Sequence, residues 1–119
     1  MTGRRLGVAV VTGRSMEPAL HEGDRVLVLW RGRPRVGRMA VVRLPPSEHG
    51  PRPISVKRVT RPSPGEPGVW WVERDNPAEG VDSWLVGAVP DEDVLARVVG
   101  RVWPWRWLNR LLRTSTSSR

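Results

Sequence analysis

Lys57, in the stretch "ISVKRVT" (54–60), is the only lysine of the chain; the other nineteen of its twenty basic residues are arginine. Arginine keeps its proton at any ordinary pH, whereas a lysine among apolar groups can lose it and act as a general base. The plainer reading is a lysine left over in a chain biased toward arginine. A second chemical candidate is Ser15, in "TGRSMEPALHEGDRVLV" (12–28). It follows an apolar run and Gly13 and precedes what reads as a single helical turn. A serine at such a bend is exposed, with backbone N–H groups free to receive an oxyanion. Serine is a weak nucleophile without a base. His21 lies beyond the turn, His49 lies in a Pro/Gly loop, and neither has an aspartate at an obvious spacing. The remaining base is Lys57, and a Ser–Lys pair is a known variant of triad logic.

Short apolar runs separated by Gly and Pro must position these two residues. They predict strands at Leu6–Thr12, Arg25–Trp30, Met39–Leu44, Ile54–Thr60, Val69–Glu73 and Leu95–Val102. "PPSEHGPRP" and "RPSPGEPG" hold too much proline for helix or ladder and read as surface loops. Two short helical turns are expected, at "SMEPALH", with Pro18 in the first turn, and at "PDEDVL". Asp91, Glu92 and Asp93 are consecutive, so they fan outward as a solvated turn rather than forming a carboxylate pair.

The tail "WRWLNRLLR" segregates fully on a helix of about 100° per residue. Trp105, Trp107, Leu108, Leu111 and Leu112 take one side, and Arg106, Asn109, Arg110 and Arg113 take the other. Such a face suits an anionic membrane interface, or packing on the protein's own body or on a partner. The expected units are a domain over 1–104 and this helix with a disordered end over 105–119.

A chain of 119 residues makes one domain with a modest core. Without cysteine there are no disulfides and no thiolate metal sites, and two histidines are too few for an all-histidine centre. No segment has the roughly 18 uncharged apolar residues of a membrane span. The run Leu6–Val11 leads into Gly-Arg-Ser and reads as a strand, not a signal sequence. The net charge of +8 favours anionic partners. The densest patch, "RGRPRVGR" (31–38), reads as a solvated hairpin tip, and no nucleic-acid-binding motif accompanies it, so no nucleic-acid partner is expected.

Four stretches in order, "SMEPAL", "EGDRVLV", "ISVKRV" and "RDNPAEGVDS", resemble the boxes of the bacterial type I signal peptidase family. The resemblance covers roughly positions 8 to 104. It implies a mainly β single domain of coiled antiparallel sheets, with Ser15 as nucleophile and Lys57 as its general base. Met16 and Pro18 would shape the nucleophile turn, and Gly13 would belong to an oxyanion hole built mainly from backbone N–H groups. Gly23, Asp24, Arg58, Asp75, Asn76, Asp82 and Ser83 would support the site. Besides the glycine at 13, where some members have a serine, the chain departs from the pattern at three places. Gly80 stands where many members have a serine that hydrogen-bonds the lysine. Trp84 replaces an arginine that usually pairs with the aspartate at 82, and Arg74 replaces the glycine before Asp75.

The implied activity is a serine endopeptidase that removes an N-terminal extension or signal-type peptide, with the substrate bound as an extended strand and no metal or cofactor. "GVWWVERDNPA" and "GRVWPWR" resemble the nickel-type superoxide dismutase maturation protease subgroup. Typical members carry a membrane anchor that this sequence lacks. The expectation is therefore a cytoplasmic protein, peripheral on the membrane through Trp105, Trp107, Leu108, Leu111 and Leu112. Two alternatives stand beside this one. A LexA-like peptidase would use the same dyad to cut itself, although no Ala-Gly pair precedes Ser15. A non-catalytic basic domain, associated with membrane or nucleic acid, would accommodate the departures at Gly80 and Trp84.

Overall fold

A computed structural model of the chain describes residues 5–62 and 67–103. Valine-rich runs form the strands, because a β-branched side chain packs well on a pleated surface. The strands are β1 (Arg5–Val10), β2 (Arg25–Trp30), β3 (Met39–Val42), β4 (Ser55–Pro62), β5 (Val69–Glu73), β6 (Val89–Pro90) and β7 (Val94–Trp103). A four-residue helix, α1 (Ser83–Val86), and a 3-10 turn at Asp91–Asp93 lie between β5 and β7. Every pairing is antiparallel, in one sheet of order β1-β2-β7-β3-β4-β5-β6. The mainly β, antiparallel architecture expected from the sequence is thus present as a single continuous sheet.

This sheet carries a core on each face. Successive strand residues point to opposite faces. On β3, Val41 joins a buried cluster with Val11, Met16, Leu20, Val26 and Val28. Its neighbours Ala40 and Val42 join a second cluster with Val59, Val72 and Val89. Register shifts in the β2–β7, β3–β7 and β4–β5 pairs add the local twist that lets one sheet wrap around both cores.

Three local expectations change. The arginine-rich stretch 31–38 is not a hairpin tip, because β7 inserts between β2 and β3. A pairing with the last described strand leaves no mark in the stretch that it separates. "SMEPALH" forms a turn rather than a helix: Glu17 N–H donates to Arg14 O and Leu20 N–H to Met16 O, and the Glu17–Pro18 peptide is cis. Pro18 has no N–H with which to continue a helical ladder. Finally, α1 falls where no helix was expected, since four residues are too few to show a helical period. Asp82 caps it, its Oδ1 accepting from Trp84 N–H at 3.1 Å.

Ser83 secures this helix to the sheet. Its buried Oγ accepts from the N–H of Val72, itself fully buried, at 2.9 Å. Ser83→Ala orphans that amide and is expected to lower stability by about 1–3 kcal/mol. Urea unfolding reads this; a midpoint equal to the wild type's would show that the bond contributes nothing.

The amphipathic helix expected at 105–113, with the rest of the tail to 119, lies outside the described residues. No described helix is long and apolar enough to cross a membrane.

Candidate active site

Lys57 sits in β4, paired with Ala40 of β3, so both side chains share one face. Two places along β4 on that face is Val59, and the surrounding side chains are those of the second core cluster. The strand alternation therefore drives the lysine into the protein, and it is only 3% exposed.

Ser15 arrives from the turn after β1. Met16, 1% exposed, anchors that turn in the first core cluster. Asn76 clamps it from the other side. Its N–H donates to Ser15 O at 2.8 Å, and its Nδ2 donates to Arg14 O at 2.9 Å. Its own Oδ1 accepts from Ala78 N–H at 3.0 Å, which fixes the amide orientation. Two residues far apart in sequence thus meet, with Lys57 Nζ donating to Ser15 Oγ at 2.7 Å. Neither histidine takes part: His21 lies 3.6 Å from Glu17, and His49 lies 3.8 Å from Glu48.

Burial pushes the Lys57 ammonium below its ordinary value; Asp82 pulls it back up, and Arg74 adds to the lowering. The folded value is the lower one, so between it and the ordinary lysine value of about 10.4 the unfolded chain binds more protons. Stability therefore rises with pH across that window. It is fully present above the unfolded value and is lost as pH falls through the window to the folded one. Lys57→Met removes the titrating group and is expected to stabilise the protein at pH 7, with the advantage shrinking toward pH 10. Urea midpoints at the two pH values measure this. Parallel curves for the two proteins would mean that Lys57 is not held below its ordinary value.

The other expected residues form a frame. Arg58, the next residue on β4, points to the opposite face and grips Asp75 with two bonds, at 2.9 and 2.7 Å, while donating to Gly37 O at 2.9 Å. The bond to Asp75 raises the Arg58 pKa further. Asp82 Oδ2 accepts from Arg74 N–H at 3.0 Å, tying the end of β5 to the cap of α1. Gly23, at φ +89°, donates its N–H to Val11 O, and Asp24 O accepts from Val11 N–H, both at 2.8 Å. Buried Asp24 also accepts from His21 N–H at 2.9 Å. These two residues close the loop that carries Ser15, without touching the dyad themselves. Pro18 is exposed within that loop.

One role changes. Gly13 N–H donates to Glu22 Oε1 at 3.1 Å, so it is not a free donor for an oxyanion.

The departures from the resembled pattern have structural counterparts. A Cβ built on Gly80 would lie 2.6 Å from Ser15 Cβ, and Gly80 has φ +93°. No serine fits there as the backbone stands. Trp84, 65% exposed, keeps its N–H on Asp82 while its ring packs edge-on to Trp71 at 5.1 Å, with Arg61 over both rings. Arg74 takes the place beside Asp82, with Nε 3.9 Å from Oδ2, and also donates to Gly80 O. Reading the residues one by one missed this partnership. Its signal was the two departures from the resembled pattern taken together, no arginine at 84 and an arginine at 74.

The dyad opens into a cleft of about 290 Å³, walled by Leu44, Ile54 and Val81 and by the backbone of Gly13 and Gly80. A larger cavity of about 660 Å³, between Trp30, Trp70 and Asp91, lies away from Ser15 and Lys57. No protein-family model matches the chain, and no curated protein matches it either.

Proposed function

We propose that the chain is a serine endopeptidase that removes an N-terminal extension or signal-type peptide from a precursor protein. The observation that carries this reading is the 2.7 Å contact between the Ser15 hydroxyl and a buried lysine amine. Once neutral, Lys57 Nζ accepts the Ser15 proton, and Oγ attacks the peptide carbonyl carbon. The amide N–H of Ser15 would receive the oxyanion, since that of Gly13 is held by Glu22. Lys57 then returns the proton to the leaving amine, and an acyl-enzyme remains. A water gives its proton to Lys57 and attacks the ester carbonyl; the lysine reprotonates Oγ as the acid leaves.

The substrate backbone would lie extended in the cleft. Thr12 and Gly13, which line it, continue β1, which among the described residues is an edge strand and offers a side for main-chain bonding. Small apolar side chains suit the Leu44, Ile54 and Val81 walls. Precursors of nickel superoxide dismutase are the specific candidates, on the subgroup resemblance. No metal or cofactor enters these steps.

The test incubates wild type and Ser15→Ala with such a precursor and with an Ala-x-Ala peptide, and reads new N-termini by mass spectrometry. Cleavage by wild type alone supports the reading, and the substrate cut selects the subgroup. Cuts only within the chain itself would favour the self-cleaving alternative. Salt-sensitive nucleic-acid or membrane binding without any cleavage would favour the non-catalytic one.

A further inference from the structure

The resemblance accounts for Ser15 and Lys57 but not for Arg74. This arginine ends the β5 edge of the site, with its side chain 23% exposed and its partner Asp82 5% exposed. It makes three contacts to two atoms. Its N–H and its Nε both face Asp82 Oδ2, and its terminal nitrogen donates to Gly80 O. Gly80 in turn backs directly onto Ser15, with no room for a side chain between them. Asp82 is a carboxylate whose charge favours the ammonium form of Lys57. Of the other charged groups around the cleft, Arg58 points to the opposite face and is closed on Asp75. Glu22 is bound to Gly13 N–H at the rim, and Arg52 donates to Pro45 O.

We propose that Arg74 is the positioning residue of this site: its guanidinium braces the Gly80 backbone against Ser15 and balances the Asp82 carboxylate, so that Lys57 can stand neutral beside the hydroxyl. This rests on the peptidase reading. The brace is geometric, since a displaced Gly80 opens space behind the nucleophile. The balance is electrostatic. A buried carboxylate without a counter-charge would favour the ammonium form of Lys57 and withhold the base.

The chain's single lysine makes the test direct. Protein labelled with ¹³C,¹⁵N-lysine gives one lysine side-chain signal, which is titrated by NMR in wild type, Arg74→Gln and Arg74→Met. Arg74→Gln keeps a donor but loses the charge, and Arg74→Met loses both. The Lys57 midpoint is expected to rise by about one pH unit in both variants. The acid limb of kcat/KM should move by the same amount. At a pH where the amine is neutral in all three proteins, kcat should fall about tenfold in Arg74→Met and less in Arg74→Gln. Should Arg74→Met fail to fold, the midpoint of Arg74→Gln alone decides. A lowered wild-type midpoint that neither variant moves overturns the role of Arg74 and leaves the dyad intact. A wild-type midpoint at the ordinary lysine value overturns both.

Discussion

Ser15→Ala and Lys57→Arg are each expected to lower kcat by about 10⁴-fold or more on any peptide that the wild type cleaves, and combining them should cost no more than either alone. On the proposed reading the two groups act as a unit: one would supply the oxygen and the other remove its proton, so losing either would remove the whole step. Lys57→Arg is the sharper of the two. It keeps the positive charge and the hydrogen-bonding capacity but never yields a neutral base at ordinary pH. A structural or charge-balancing lysine would tolerate it in function, with only the packing cost of a larger head group in a site 3% exposed. Initial rates on folded protein, with unfolding monitored in parallel, make the comparison. If Lys57→Arg keeps even a tenth of the wild-type rate, the lysine is not the base.

The second large effect concerns a residue with no side chain. Gly80→Ala is expected to lower kcat about 100-fold and stability by about 1–3 kcal/mol. The new Cβ would lie 2.6 Å from Ser15 Cβ and 3.5 Å from its Oγ, at a backbone angle of φ +93°. Either the serine or the 76–81 segment must shift. A displacement of about 1 Å at a reacting atom costs on the order of 100-fold, and an L-residue in that backbone region costs about 1–3 kcal/mol. Gly80→Ser discriminates between two ideas. The family resemblance suggests that a serine here would orient the lysine and help. The close approach to Ser15 says that it would harm as much as alanine does. Activity measured on both variants decides, and a gain with serine would overturn the packing argument.

Much of the strand pattern was legible because it is local. Arg25–Trp30 and Val69–Glu73 are strands as expected, and the other four expected strands differ only at their ends. Valine runs bounded by Gly and Pro carry that information by themselves. Elements too short to show a period escaped, namely the two-residue β6 and the four-residue α1. The β2–β3 connection was misread for a different reason. The strand that separates the two comes from the far end of the described chain, and nothing in 31–38 encodes its arrival.

The candidate site divides along the same line. By itself the sequence determined which groups were available: one lysine among arginines, a serine at a bend, and no cysteine. These are facts of residue type, and type limits the chemistry. Only the tertiary structure decided which groups meet. It brought Ser15 Oγ to 2.7 Å from Lys57, buried that lysine between sheet strands, occupied Gly13 N–H with Glu22, and set Arg74 against Asp82 and Gly80. The physical reason is that distance, desolvation and charge balance arise from contacts between segments remote in sequence. A lone residue type specifies none of these until the sheet has closed around it.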